Sequence, residues 1–145
     1  MGSAVNTIRL TKIFDNENSL LVKWSDELKS GKTLIGFSDV NVAPLSSETA
    51  AKAIIKLIYI DNLSERVIHI SPQDQTNYYE IAQRMKELYG GETKSQVKNQ
   101  ATDCEKKILY KPKVAVLKCT NKIGVVVNLQ EEIDKILKYY IDVSE

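Results

Sequence analysis

"ENSLLVKWSDELKSGKTLIGFSDV", residues 17–40, holds the chain's single tryptophan, and its reading decides the fold. At a period of two, Leu20, Val22 and Trp24 share one face and Lys23 lies on the other, as in a half-buried strand. Ser25 to Gly31 then reads as a polar reversal and Thr33 to Phe37 as the next strand. Upstream, residues 5–14 alternate Ile8 and Leu10 with Arg9 and Thr11, and Asp15-Asn16-Glu17-Asn18 supplies turn chemistry. The stretch therefore predicts a three-stranded meander with Trp24 in its core. Gly31-Lys32-Thr33 looks like the end of a phosphate-binding loop. Asp26 stands where the earlier glycine belongs, however, and Leu34-Ile35-Gly36-Phe37 reads as strand where the motif needs a helix, so a phosphate cradle is excluded.

The 145 residues suffice for one domain with a real core. Twenty Lys and Arg stand against 19 Asp and Glu, so no global field points to nucleic acid or membrane. The eight lysines from Lys94 to Lys122, against only Asp103 and Glu105, are either a solvated face or a surface for an anionic partner. Cys104, Cys119 and His69 are too few for a zinc site, and no cofactor or metal is expected. The N-terminus lacks a signal pattern, which predicts a reducing intracellular compartment. His69 sits on a strand with no serine motif beside it, and Glu131-Glu132 opens a helix, where it complements the dipole. Nothing in these residues argues for an enzyme.

Further along, Ser46-Ser47-Glu48-Thr49 can cap a helix starting near Ala50. Leu57 to Ile60 and Arg66 to Ile70 read as a hairpin turned at Asp61 to Glu65. The clearest helix spans about 72–89, capped by Ser71, with Pro72 in its first turn and Gly90-Gly91 at its end. Ile81, Met85 and Leu88, with Tyr78 or Ala82, form its buried stripe. Residues 92–105 read as a polar loop, and strands are expected at 107–111, 114–119 and 123–128. A last helix from about Leu129 puts Ile133, Ile136, Leu137 and Tyr140 on one face.

The spacing Ile8-x-Leu10, Leu20-x-Val22-x-Trp24, Leu28-x-Ser30-Gly31 and Phe37-Ser38-Asp39 resembles the N-terminal heads of the non-homologous end-joining scaffolds XLF, PAXX and the X-ray cross-complementing group-four protein. "YEIAQRMKELYG" (Tyr79 to Gly90) is similar to their inserted helix, and "NLQEEIDKILKYYI" stands where the head meets a coiled-coil stalk. The resemblance implies an antiparallel β-sandwich or half-open barrel of seven or eight strands. Residues 1–128 would be the head and 129–145 the start of the stalk. It implies a nuclear, non-enzymatic DNA-repair scaffold, homodimeric if the chain continues past residue 145. Tyr78, Arg84 and Lys86 would bind other scaffold heads and repair proteins. Ile133, Ile136, Leu137 and Tyr140 would form the dimer seam. Lys106, Lys107, Lys111, Lys113 and Lys118 would hold DNA weakly. A centriolar cartwheel head that self-associates, an oligonucleotide-binding barrel and a pleckstrin-like module are the alternatives.

Overall fold

The computed structural model describes residues 6–60, 66–90, 94–101, 112–118 and 126–142. The opening stretch is a helix. Strands β1 (Thr7–Leu10) and β2 (Ile13–Phe14) lead into α1 (Ser19–Lys29). The Asn18 side chain caps α1, accepting from the amides of Leu20 at 3.2 Å and Leu21 at 3.3 Å. Leu21, Trp24, Ser25 and Leu28 form its buried stripe, at spacings of three and four. Val22, which a strand would align with Trp24, is 42% exposed. Trp24 is a core residue, but on a helix, and its ring nitrogen donates to the Ile35 carbonyl at 3.2 Å. Gly31, at φ +65°, turns the chain out of α1.

Strands β3 (Leu34–Gly36), β4 (Asn41–Val42) and β5 (Leu45–Ser46) follow, then α2 (Ser47–Ile58) and β6 (Val67–Ile70). Helix α2 takes up Leu57 and Ile58, so the expected hairpin does not form. Strand β6 instead pairs in parallel with β1, Thr7 opposite Val67 and Leu10 opposite Ile70. Strand β7 (Thr76–Asn77) precedes α3 (Tyr78–Tyr89), whose cap is Asn77 rather than Ser71. Strand β8 (Val97–Asn99) and α4 (Leu129–Asp142) complete the described elements. Among these residues β1–β6, β2–β5 and β3–β8 are parallel ladders, and β4–β7 is antiparallel. The antiparallel sandwich or barrel is therefore overturned. Parallel pairs need crossovers, and helices supply them, giving an α/β fold.

The helices enclose one core and flank another. Trp24, Leu28, Met85, Ile133 and Leu137, from α1, α3 and α4, meet with Leu34 in the first. Ala50, Ala53 and Leu57 of α2 cover Ile68 and Ile70 of β6 in the second. Gly36 lets β3 approach α3, since a Cβ there would lie 2.6 Å from the Tyr79 Cα. The segment 114–118 is described but forms no strand. The expected strand 107–111, residues 119 and 123–125 of the other two, the Asp61 to Glu65 turn, both cysteines and Lys106, Lys107 and Lys111 lie outside the described residues.

Candidate functional site

In open α/β sheets ligands bind beyond the carboxyl ends of the parallel strands. At that end of β1, Leu10, Thr11 and Lys12 border a crevice of about 500 Å³. Its other walls are Val40–Ala43 around β4, Tyr78 at the start of α3, and the segment from Pro112 to Leu117. That segment hangs on side chains. Asn41 and Gln75 both donate to the Lys113 carbonyl, at 3.1 and 3.2 Å. The Ala115 amide donates to Gln75 Oε1 at 2.7 Å, and the Leu117 amide to Ser71 Oγ at 3.1 Å.

Two groups here are chemically uncommitted. Lys12 forms no ion pair among the described residues, and its Nζ lies 5.9 Å from the Phe14 ring centre and 5.7 Å from that of Tyr78. An ammonium over aromatic faces is held in place yet remains available to an anion. Thr11 Oγ1 is buried and has no hydrogen-bond partner among the described residues. A buried hydroxyl without a partner costs free energy that a bound ligand can recover. A cation, a hydroxyl and apolar walls can together hold a molecule with an anionic group and a flat or apolar part.

A second, more open groove of about 690 Å³ runs along α1 past Val22, Lys23, Glu27 and Lys32. Its charges are mixed, and Lys23 pairs with Glu27 at 3.7 Å. Gly31-Lys32-Thr33 follows the C-terminus of α1, the negative end of its dipole, opposite to where phosphate binds.

The side chains singled out from the sequence scatter. Tyr78 lines the crevice. Arg84 is spent inside the chain, on Asp134 of α4 at 2.8 Å and Glu87 at 3.1 Å. The Arg84 hydrogen bond holds the Asp134 carboxyl below the usual aspartate range. Lys86 is half-buried near the end of α3. Ile133, Ile136, Leu137 and Tyr140 are buried in the first core, packed with α1 and α3 rather than along an exposed seam. The Tyr140 hydroxyl donates to the Asp15 carbonyl and accepts from the Asn18 amide, and burial raises its pKa. Lys113 and Lys118 are exposed, and their carbonyls hold neighbouring side chains. Thr11, Lys12 and Asn41 went unnoticed, because no local motif marks them.

No protein-family profile matches this chain, and no curated protein sequence does. Solved structures do. The fold superposes on a dTDP-4-dehydrorhamnose reductase from Bacillus anthracis, solved in complex with NADP, with a TM-score of 0.68 at 16% identity. It covers 99% of this chain and 49% of that one. A UDP-N-acetylglucosamine 4-epimerase from Bacillus cereus gives a TM-score of 0.68 at 16% identity, over 94% of this chain and 48% of that one. Another from Methanobrevibacter ruminantium, in complex with UDP-N-acetylmuramic acid, gives 0.65 at 14%, over 94% and 46%. At these identities the likeness is one of fold, and the chain spans about half the length of the structures it matches.

The end-joining resemblance is thereby corrected. Its spacing of Leu20, Val22 and Trp24 belongs to a helix, and the fold is that of reductases and epimerases. The DNA-repair scaffold, the coiled-coil stalk, the centriolar head, the oligonucleotide-binding barrel and the pleckstrin-like module fall with it. The non-enzymatic reading loses the resemblance it rested on, and the solved structures that share the fold are enzymes.

A dinucleotide such as the NADP bound to the Bacillus anthracis reductase does not fit these residues. Such a site needs a G-x-G-x-x-G turn and open amides at a helix N-terminus. The six glycines never stand in that spacing. All four described helix starts are filled by the chain itself. Asn18, Asn77 and Asn128 cap α1, α3 and α4. The buried Glu132 carboxylate covers the start of α2, accepting from the Ser46 amide at 2.8 Å and the Thr49 hydroxyl at 2.9 Å. The Ser46 hydroxyl caps the same helix, accepting from the Thr49 amide at 3.1 Å.

Proposed function

We propose that this chain is the part of a sugar-nucleotide-modifying enzyme that holds the nucleoside diphosphate sugar, in the crevice beyond β1. The observation that carries the reading is a pair of groups at the strand's carboxyl end, the Lys12 ammonium and the buried Thr11 hydroxyl, which have no ion-pair and no hydrogen-bond partner, respectively, among the described residues. The names of the structural neighbours, which act on dTDP- and UDP-linked sugars, supply the substrate class. In this reading Lys12 pairs with the diphosphate, Thr11 donates to a ligand oxygen, and Val42, Val114 and Leu117 flank the base or sugar ring. Tyr78 backs the Lys12 stem and fixes where its charge sits. The dinucleotide lies outside these residues, and no redox step is assigned to them.

Calorimetry with UDP-N-acetylglucosamine and dTDP-glucose tests this. Saturable binding is expected, weakened about tenfold or more by Lys12→Ala and less by Thr11→Val. A chain that binds neither, or binds equally well after Lys12→Ala, overturns the reading.

A further inference from the structure

The segment Pro112 to Lys118 walls the crevice with Pro112, Val114, Ala115 and Leu117, yet it belongs to no strand. Among the described residues its backbone hydrogen bonds all go to side chains: Asn41, Gln75, Ser71 and His69. Gln75 grips it at two points. Its amide donates to the Lys113 carbonyl at 3.2 Å and accepts from the Ala115 amide at 2.7 Å, the groups on either side of Val114. A backbone carbonyl only accepts and a backbone amide only donates. The pair therefore fixes both the Gln75 amide and the place of Val114, as a neighbouring strand would.

The fold prepares Gln75 for this grip. Strand β7 begins at the next residue and pairs with β4, Val42 opposite Thr76 and Asn41 opposite Asn77. That ladder brings Gln75 and Asn41 to one carbonyl, that of Lys113. The Gln75 backbone amide donates to Asp74 Oδ1 at 2.8 Å, which ties down the turn that carries the side chain. Gln75 does not itself border the crevice, so it acts through Val114, Ala115 and Leu117, which do. A wall held by side chains, without a backbone ladder, opens more easily than the strands around it. A ligand packed on Val114 and Leu117 favours the closed wall, and by linkage the closed wall favours the ligand equally.

We infer that Gln75 is a positioning residue for the ligand: its amide latches the Pro112–Lys118 wall where a nucleoside diphosphate sugar packs against it, and the bound ligand tightens the latch. The inference deepens the reading of the crevice as the sugar-nucleotide site and rests on it. Gln75→Met keeps the length of the side chain and removes both bonds. Gln75→Asn keeps the amide but is one methylene too short to span both backbone groups. The second variant shows the same pattern and serves if the first does not fold.

Residue-resolved hydrogen exchange and calorimetry on the 145-residue chain test the latch. In Gln75→Met the Ala115 amide should exchange about tenfold faster than in the parent, while core amides such as that of Leu137 stay as slow as before. The Leu117 amide is the telling reporter, because its own acceptor is Ser71, which the substitution leaves in place. It should also exchange faster, by about threefold or more, if the wall moves as a unit. Saturating UDP-N-acetylglucosamine should slow both amides in the parent, and its affinity should fall about tenfold in Gln75→Met. A Leu117 amide that stays slow in the variant would reduce Gln75 to a local bond and overturn the inference. So would a released wall with ligand affinity unchanged. A parent that binds neither UDP-N-acetylglucosamine nor dTDP-glucose overturns the sugar-nucleotide reading and with it the role of Gln75 toward that ligand. Exchange at Ala115 and Leu117 without ligand decides the latch separately.

Discussion

Arg84 on α3 grips Asp134 on α4 through two parallel hydrogen bonds of 2.8 Å, Nε to Oδ1 and Nη2 to Oδ2. This fork-to-fork geometry fixes how the two helices meet over the first core. The guanidinium stays charged throughout the accessible pH range, and it favours the ionised carboxylate. The folded-state pKa of Asp134 therefore lies below its unfolded value. The sign follows from linkage: the stability is present in full above the unfolded aspartate pKa and is lost as pH falls through the depressed folded value. Asp134→Asn should lower stability at neutral pH and narrow its gap to the parent as the solution becomes acidic. Urea midpoints measured at several pH values check this, and a gap independent of pH would show that the pair contributes no proton linkage.

A helix and a strand over residues 19–29 predict different mutational patterns. In α1, Val22 faces solvent and Trp24 is buried. Val22→Lys should change stability by no more than about 0.5 kcal/mol. Trp24→Ala should cost about 3–5 kcal/mol. In a strand the two side chains share a face, and both substitutions would be severe. Chemical denaturation of the two variants settles the choice.

Glu132 is a buried carboxylate with a structural task, bridging α4 to the first turn of α2. Glu132→Ala leaves the Ser46 amide and the Thr49 hydroxyl without that acceptor. The expected loss is about 2–3 kcal/mol, since a hydrogen bond to a charged group contributes about 1.5–3 kcal/mol. Glu132→Gln keeps one carbonyl acceptor and should lose less. Equal losses for the two variants would mean that the carboxylate charge, or both of its oxygens together, is what matters there, and neither shape nor a single acceptor.

Gly36 faces the backbone of α3. A methyl group there would lie 2.6 Å from the Tyr79 Cα and 2.9 Å from the Tyr78 carbonyl, and backbone gives way only by moving the helix. Gly36→Ala should cost about 1–3 kcal/mol. It should also weaken sugar-nucleotide binding, because Tyr78 lines the crevice at the same helix start. Thermal melts and calorimetry on one preparation check both effects.

How much of this was legible in the sequence depends on how local each signal is. Helices α3 and α4 show a 3.6-residue stripe over three turns or more, and Ile81, Met85, Ile133 and Leu137 are buried as that stripe requires. Helix α1 is degenerate: Leu20, Val22 and Trp24 satisfy a period of two, while Leu21, Trp24 and Leu28 satisfy three and four. Asn18 as a cap and Gly31 as a stop were the discriminating signals. Parallel pairing of Thr7 with Val67 joins distant segments and leaves no local trace, so consecutive strands invited an antiparallel reading. The crevice draws Thr11, Asn41, Tyr78 and Leu117 from four separate segments, and only the fold brings them together.

Two lysines separate the crevice from the phosphate-loop lookalike. Lys32 follows α1, where Ser30 donates twice to the Asp26 carbonyl, from its amide at 3.1 Å and its hydroxyl at 2.7 Å. The helix presents its negative end there, so a phosphate finds carbonyls in place of amides. Lys12 stands at the carboxyl end of a parallel strand, over two aromatic rings and without a carboxylate partner among the described residues. Lys32→Ala should change UDP-N-acetylglucosamine affinity by less than about twofold, and Lys12→Ala by about tenfold or more. Charge reversal sharpens the contrast: Lys12→Glu places an anion beside the diphosphate and should abolish binding, while Lys32→Glu should leave it intact. If the two lysines exchange these behaviours in calorimetry, the ligand sits along α1, and the crevice beyond β1 is only a gap between elements.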